Sequence, residues 1–283
     1  PLVVGIGDGE YFVASDASPF IEYTSNVVYL KDGEIVKIHK DKMLEIISLN
    51  NSPKTPFIQE LEMTLESIER GGFDSFMLKE IFEQPKSVID TLRGRINPET
   101  KKITLGGILD YEQKIINANR IIIVACGTSW HAGLIGEYLF EDLARISVEV
   151  EYASEFRYRN PIINENDVVL AISQSGETAD TLAALELAKE KGATLLGICN
   201  VVGSSIPRLT HAGSYTHAGP EIGVASTKAF TTQIIVLTLM AIKMAHKKGT
   251  ITMKKYHEII TELELIPEKI EKILKKNDQI EKI

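Results

Sequence analysis

Three short loops rich in hydroxyl and small residues contain the residue types in this sequence that could bind an anion. They are CGTS (126–129), SQSGET (173–178) and EIGVAST (221–227). A helical pattern follows each loop, and the unpaired N–H groups and dipole at a helix N-terminus favour negative charge. Serine and threonine hydroxyls add donors that rotate to suit a ligand. Four or five hydrogen bonds to a charged group, each contributing roughly 1.5–3 kcal/mol, could hold a phosphate without lysine or arginine.

The same hydroxyls have a simpler interpretation as helix N-caps. Ser129, Ser173 and Thr178 are residue types that cap helices, and one such loop alone would more often be a cap than a phosphate site. Two hydroxyl-rich loops and a third small-residue loop favour a ligand site over caps. Gln174 is harder to explain as a cap, because its amide suits a sugar or phosphate oxygen. Glu177 could pair with a sugar hydroxyl or compensate a helix dipole.

Other polar residues near the loops also have two interpretations. His131 could face a ligand or lie on a helix face with its bonds satisfied. Lys228 could contact a phosphate, although a surface or packing lysine is the default. His211 and His217 flank a predicted strand, and no third ligand follows at metal spacing. The sequence therefore predicts no metal site.

Composition is that of an ordinary globular protein. The 283 residues are 44% hydrophobic and 25% charged, with a net charge of −8. This acidic balance argues against nucleic-acid binding, which needs a basic surface. We find no apolar run of the ~18 residues that span a membrane, so no membrane association is expected. Cys126 and Cys199 stand in or beside apolar strand patterns without metal spacing, which predicts free thiols in a reducing cytoplasm.

Alternating strand and helix patterns from about residue 110 predict the elements that position the loops. Strands that are apolar on both faces and separated by helices indicate an α/β fold with a parallel sheet. Because ligands bind at the carboxyl ends of such strands, the three loops should meet there. The predicted strands are 120–126, 147–153, 167–173 and 194–200, and the predicted helices are 129–144, 179–192 and 227–249.

The first 49 residues predict antiparallel β-structure. Two short apolar strands come first, and VVYLKDGEIVKI (27–38) indicates a hairpin around a KDG turn. GIGDGE (5–10) lacks the GxGxxG spacing of a dinucleotide loop, so a plain turn is predicted. Residues 50–75 are polar and rich in turn residues, which makes them a candidate linker.

Helical patterns occur on both sides of the α/β region. One helix is predicted to begin at an N-cap, Asp74 or Ser75, to break near Pro85 and to resume over KSVIDTL. The stretch from Tyr256 onward has isoleucines and leucines at helical spacing, and it could bind a partner protein or lead to a further domain. The chain starts within a strand pattern and ends within a helical pattern. We therefore expect it to be a piece of a longer protein.

Several long motifs occur in this sequence, namely CGTSWHAG, ASEFRYR, SQSGETADTL, NVVGSS, EIGVASTKAFTTQ, KEIFEQP and TLRGRI. They closely resemble motifs of the glucosamine-6-phosphate synthase family, the isomerising glutamine–fructose-6-phosphate aminotransferases. PLVVGIGDGEYFVASD is similar to the last strands of the family's glutaminase domain. The resemblance covers nearly the whole chain in order. It implies glutaminase strands at 1–49, a linker with connecting helices at 50–109, a first sugar isomerase (SIS) domain at 110–250 and a connection to a second SIS domain at 251–283.

The resemblance also implies a flavodoxin-like, three-layer SIS fold that binds fructose 6-phosphate. The first loop would line the sugar, the second would cradle the phosphate, and the third would close the pocket. By motif match, these residues are Cys126, Gly127, Thr128 and Ser129, then Ser173, Gln174, Ser175 and Thr178, and finally Val224, Ala225 and Ser226.

The family's reaction needs residues that this chain does not match. In the family, ammonia from glutamine passes through an internal channel to open-chain fructose 6-phosphate, which gives glucosamine 6-phosphate, a precursor of UDP-N-acetylglucosamine. The glutaminase cysteine and the second SIS domain, with its base, histidine and lysine, have no counterpart here. We therefore assign no catalytic residue and no cofactor, and we expect the 283-residue chain alone to be inactive. The family implies a cytoplasmic homodimer.

Two other functions remain open at this point. A sugar-phosphate sensor with a SIS fold usually carries a DNA-binding helix-turn-helix, whereas the N-terminal region here predicts strands and the charge is acidic. A deglycase or ketose isomerase without glutaminase coupling would have little use for the apparent glutaminase remnant at 1–49.

Overall fold

The computed structural model describes residues 2–15, 17–39, 44–61 and 69–280. The chain divides into two compact units, Pro1–Gly72 and Phe73–Ile283. The division lies inside the predicted linker. The four-part domain organisation implied by the resemblance stays a prediction.

The N-terminal unit has two antiparallel sheets in its described residues. The first sheet has the strand order β2-β1-β3-β7 and the second has the order β4-β5-β6. Consecutive residues of β1 belong to two separate apolar clusters, with Val3 in one and Val4 in the other. The strands are β1 (Leu2–Ile6), β2 (Tyr11–Ala14), β3 (Asn26–Leu30), β4 (Glu34–Lys37), β5 (Glu45–Ser48), β6 (Pro53–Lys54) and β7 (Gln59–Glu60), with a short 3-10 helix at Ser18–Phe20.

The predicted turn at GIGDGE is confirmed. Strands β1 and β2 pair in antiparallel fashion across it, and the Gly7 N–H donates to the Glu10 carbonyl at 2.9 Å. Gly9 has φ +74°, the left-handed region that favours glycine. The segment is therefore a hairpin turn.

The predicted hairpin over 27–38 is wrong. Strand β3 lies between β1 and β7, so both of its edges are already paired, and β4 pairs with β5 in the other sheet. The KDG turn itself forms, since the Glu34 N–H donates to the Lys31 carbonyl at 3.0 Å. The turn carries the chain from one sheet to the next. Two short strands, β6 and β7, also lie within the candidate linker, and residues 62–68 of that linker lie outside the described residues.

A five-stranded parallel sheet forms the centre of the second unit, as the sequence predicts. Its order is β12-β11-β10-β8-β9, which is the flavodoxin-like order. Every residue of β8, β10 and β11 is buried, which accounts for their apolar character on both faces. The strands are β8 (Ile121–Ala125), β9 (Val148–Tyr152), β10 (Val168–Ser173), β11 (Thr194–Cys199) and β12 (Ala212–Tyr215).

Helices cover both faces of this sheet. One apolar cluster joins Ile121 and Ile123 to α3 and α7, and another joins Ile122 and Val124 to α4 and α5. The α/β class and the three layers are therefore confirmed. The helices are α1 (Phe76–Leu92), α2 (Glu112–Ile116), α3 (Gly127–Leu139), α4 (Ala153–Phe156), α5 (Ala179–Glu190), α6 (Ser205–Leu209), α7 (Lys228–Lys248), α8 (Met253–Glu264), α9 (Ile266–Leu274) and α10 (Asn277–Ile280), with a 3-10 helix at Gly106–Tyr111 and a π-helical end to α3 at Phe140–Ala144.

Helix α7 qualifies by length and composition as a membrane span, contrary to our count of apolar runs. It has 21 residues, and its most apolar window has a mean hydropathy of 1.4. However, 78% of that window is buried within the protein, against the sheet and neighbouring helices. A buried core helix has the same composition, so this helix is weak evidence for a membrane.

Helix α1 begins as predicted but does not break at Pro85. The Leu78 N–H donates to the Ser75 hydroxyl at 3.1 Å, which confirms Ser75 as the N-cap. Pro85 lacks the N–H that would bond to the Ile81 carbonyl one turn earlier. The Gln84 side chain donates to that carbonyl instead, at 3.1 Å. This replacement lets the helix continue to Leu92.

Candidate functional site

The three loops line one cavity of about 400 Å³ at the carboxyl ends of β8 and β10. Every residue of the predicted site lies in its wall. Sequence reasoning missed Ile172, Glu221 and Gly223, although the last two stand within the third loop. The lining residues are Cys126, Gly127, Thr128, Ser129, Ile172, Ser173, Gln174, Ser175, Thr178, Glu221, Gly223, Val224, Ala225 and Ser226.

The second loop is a tightly bonded turn built around Ser173. This side chain is 3% exposed, and its hydroxyl accepts from the Gly176 N–H at 2.9 Å. Its oxygen also lies 3.1 Å from the Thr178 hydroxyl. Gly176 has φ +69°, and a Cβ there would collide with Ser204. The loop therefore has a fixed shape, with two hydroxyls side by side.

The capping interpretation does not hold for Ser129 and Thr178, and Ser173 bonds an N–H of its own turn rather than of a helix. Thr178 is the N-cap residue of α5 but makes no side-chain cap bond. Cys126 is the N-cap residue of α3, also without such a bond. Ser129 is 7% exposed and accepts from the Gln233 side chain at 3.0 Å. The N-termini of α3 and α5 therefore face the cavity without a side-chain acceptor, as an anion site requires.

The third loop is different, because its single carboxylate, that of Glu221, caps the helix that follows. Glu221 Oε1 accepts from the Thr227 N–H at 2.9 Å and from the Ala229 N–H at 3.1 Å. The expectation that all three helix N-termini are available to an anion is therefore wrong for α7. A carboxylate in the wall also repels a phosphate, so the first two loops are the favourable side of the cavity.

The remaining third-loop residues lie at the rim. Val224 and Ala225 are exposed. The hydroxyl oxygen of Ser226 is buried and has no hydrogen-bond partner among the described residues. A buried hydroxyl without a partner is unfavourable. Ser226 therefore has an unused donor and acceptor for a ligand.

The other candidate polar residues have structural roles or lie at the surface. Glu177 accepts from the Ser205 N–H at 2.9 Å and so caps α6. Lys228 is only 3% exposed and pairs with Glu83 at 2.6 Å, so it is neither a surface lysine nor a residue of the cavity wall. His131 lies exposed on α3. None of the three lines the cavity.

Both cysteines are free thiols with different surroundings. Cys126 is partly exposed and lines the cavity, whereas Cys199 is buried. Burial, with a smaller contribution from the negative charge of Glu177, raises the pKa of the Cys199 thiol to about 12. That thiol stays protonated at neutral pH and is a poor nucleophile. Among the described residues, no group of three or more His, Cys, Asp or Glu side chains could hold a metal ion.

Comparison with known proteins supports the motif resemblance. Residues 114–243 match the family model of the SIS domain. The chain is 60% identical over 280 residues to a glutamine–fructose-6-phosphate aminotransferase (isomerizing) of Bacteroides thetaiotaomicron, covering 99% of this chain and 46% of that protein. It is 58% identical to the Chlorobaculum tepidum protein of the same name, covering 100% of this chain and 46% of that protein. The chain thus spans about half the length of the curated relatives it matches.

Solved structures agree with these sequence matches. The C-terminal domain of glucosamine-fructose-6-phosphate aminotransferase from Francisella tularensis superimposes with a TM-score of 0.70 at 37% identity, covering 76% of this chain and 59% of that one. A glucosamine-6-phosphate deaminase from Thermotoga maritima, at 22% identity and a TM-score of 0.53, shares the fold over 69% of this chain and 54% of its own. The chain therefore contains a SIS domain at residues 114–243, and nearly its whole sequence is similar to that of glutamine–fructose-6-phosphate aminotransferases.

Proposed function

We propose that this chain supplies the fructose 6-phosphate site of an isomerising glutamine–fructose-6-phosphate aminotransferase. The whole protein would make glucosamine 6-phosphate and glutamate from fructose 6-phosphate and glutamine. The observation that carries the proposal is the cavity, where three loops of the expected motifs meet at the carboxyl ends of parallel strands. The 60% identity to a relative of that name supports the choice of substrate.

The cavity wall favours one orientation of a sugar phosphate. The phosphate would lie against the second loop, where the hydroxyls of Ser173 and Thr178 and the start of α5 meet. The sugar would lie between the first loop and Ser226. Among the residues that the structure describes, no lysine or arginine lines the wall, so hydrogen bonds of roughly 1.5–3 kcal/mol each and the helix dipole would carry the affinity.

We propose no catalytic residue in this chain. A proton shift between sugar carbons needs a free, positioned base. Glu221 lines the cavity, but its carboxylate is bonded to the start of α7, and Lys228 is held in an ion pair with Glu83. Ammonia from glutamine, a homodimeric assembly, a cytoplasmic location and the absence of nucleic-acid or membrane partners belong to the same proposal.

Titration with fructose 6-phosphate tests the proposed function. The doubly substituted Ser173→Ala, Thr178→Ala chain loses two hydroxyl contacts to a charged group, so we expect its affinity to fall about 100-fold or more. A matched control, Ser205→Ala with Thr210→Ala, removes the same two residue types outside the cavity wall and should bind as the wild type does. Equal affinity in all three chains, or no binding by the wild type, would contradict the proposal.

A further inference from the structure

Helix α1 holds the segment that carries the third loop. Thr91 donates to the Thr216 carbonyl at 2.6 Å, and Ser87 donates to the Ala218 carbonyl at 2.9 Å. Both bonds are buried. Spacings of seven and four residues put the polar side chains that make such contacts on one face of the helix. They are Glu80, Ser87 and Thr91.

Glu80 makes the contact closest to the cavity. Its side chain is 2% exposed, and Oε1 accepts from the Ile222 N–H at 2.6 Å and from the Gly223 N–H at 3.0 Å. These two bonds offset part of the cost of burying the carboxylate, whose other oxygen, Oε2, is buried without a hydrogen-bond partner among the described residues. A Cβ on Gly223 would lie 2.6 Å from Glu80 Oε2, so a larger residue there would displace the end of the Glu80 side chain. Glu80 itself does not line the cavity.

A second carboxylate fixes the other side of the same loop. Glu221 bonds the N–H groups of Thr227 and Ala229. Glu80 therefore holds the loop at Gly223 and Glu221 holds it at Thr227, and residues 224–226 lie between these two anchors. These three residues form the part of the third loop assigned to the sugar, and they include the unpartnered hydroxyl of Ser226. Their position therefore depends on both anchors.

We propose that Glu80 is a positioning residue for the sugar side of the cavity. It holds the backbone of Ile222 and Gly223, and so keeps residues 224–226 in the cavity wall without contacting the ligand. Without it, the loop spends part of its time away from the wall, and apparent affinity falls with the fraction of competent loop. The inference rests on the proposed function, because the occupant is taken to be a sugar phosphate.

Two ligands separate the role of Glu80 from that of the phosphate loop. Inorganic phosphate needs only the second loop, which Glu80 does not contact, whereas fructose 6-phosphate also needs the third. Glu80→Met removes both acceptor oxygens. In an NMR titration, its affinity for fructose 6-phosphate should be lower than that of the wild type by about tenfold or more. Binding of inorganic phosphate should be unchanged. Glu80→Gln keeps one acceptor oxygen and should restore most of the affinity.

A matched control tests for mere loss of helix stability. Ser75→Ala removes the N-cap of the same helix, so it should lower Tm while leaving both affinities unchanged. Equal weakening of both ligands by Glu80→Met, or no change in the binding of fructose 6-phosphate, would overturn the role of Glu80. A wild-type chain that binds neither ligand would contradict the proposed function. It would also contradict the role of Glu80 in binding.

Amide hydrogen exchange tests the anchor without any ligand. The Ile222 and Gly223 amides should exchange slowly in the wild type and at least tenfold faster in Glu80→Met. They should stay protected in Ser75→Ala. Unchanged protection in Glu80→Met would contradict the positioning role even if the sugar-phosphate site is real.

Discussion

At the scale of single residues, the Ser173 hydroxyl has two roles: it holds the second loop in shape, and it is proposed to bind the ligand. A hydroxyl has one donor and two acceptor positions. One acceptor position is used by the Gly176 N–H, and the contact with Thr178 uses a second position. The loop is therefore shaped before a ligand arrives, which lowers the entropy that binding must overcome.

This double use predicts that Ser173→Ala destabilises the protein in the absence of ligand. The substitution leaves the buried Gly176 N–H without an acceptor, so we expect the free energy of unfolding to fall by about 1–3 kcal/mol. Thr178→Ala removes no partner of a backbone group and should lower it by less than about 1 kcal/mol. Urea denaturation of the two variants measures the difference. An equal effect of both substitutions would show that Ser173 does not hold the loop.

The residues of the cavity could be read from the sequence to different extents. Those of the first two loops were predictable, because each loop directly follows a buried strand and all parallel strands end at one edge of the sheet. Glu80 could not be found in this way. It meets Ile222 across 142 positions of sequence, and only the packing of α1 brings the two together.

At the scale of elements, α1 shows how a side chain can preserve a helix around an internal proline. Gln84 donates to the Ile81 carbonyl at 3.1 Å and accepts from the Thr231 hydroxyl at 2.6 Å. The same amide therefore supports the helix and joins it to α7. Local sequence rules place a break at Pro85, because they do not include a neighbouring side chain that replaces the lost bond.

Gln84→Ala should therefore destabilise the protein although the residue is only half-buried. It leaves the Ile81 carbonyl and the Thr231 hydroxyl without these partners, so we expect a loss of about 1–3 kcal/mol in the free energy of unfolding. Lys86→Ala, on the exposed side of the same helix, should change it by less than about 0.5 kcal/mol. Thermal or urea unfolding distinguishes the two. Similar effects would mean that the proline is tolerated for another reason.

Strand pairing in the N-terminal unit also depends on residues far apart in the sequence. The KDG turn was predictable from a few residues, but the partners of β3 and β4 were not. Both edges of β3 are taken by strands from elsewhere in the unit, so the turn joins two sheets. The parallel sheet was predictable because its apolar strands alternate with helices, whereas its flavodoxin-like character was expected only from the motif resemblance.

At the scale of the whole molecule, a buried ion cluster ties α2 to the core helix α7. Glu112 is 2% exposed, pairs with Lys243 at 2.6 Å, and also contacts Lys247. Burial raises the pKa of Glu112, but hydrogen bonds and charge from the two lysines outweigh it, so the net pKa lies below the usual 4.5. Folding therefore favours the charged form.

This direction predicts how stability depends on pH. A carboxyl whose pKa is lowered by folding stabilises the protein fully above its unfolded pKa and loses that contribution as pH falls through the folded pKa. The difference in free energy of unfolding between wild type and Glu112→Gln should be constant near pH 7 and should shrink below about pH 4.5. Urea midpoints from pH 7 to pH 3 measure it. A difference that grows in acid would contradict the ion cluster.

A crystal structure of this chain with fructose 6-phosphate tests the central claim most directly. We expect the phosphate oxygens within about 3 Å of the Ser173–Thr178 loop and the sugar against the first loop and Ser226, with no lysine or arginine in contact. A phosphate bound beside Glu221, or at a basic surface away from the cavity, would contradict this account.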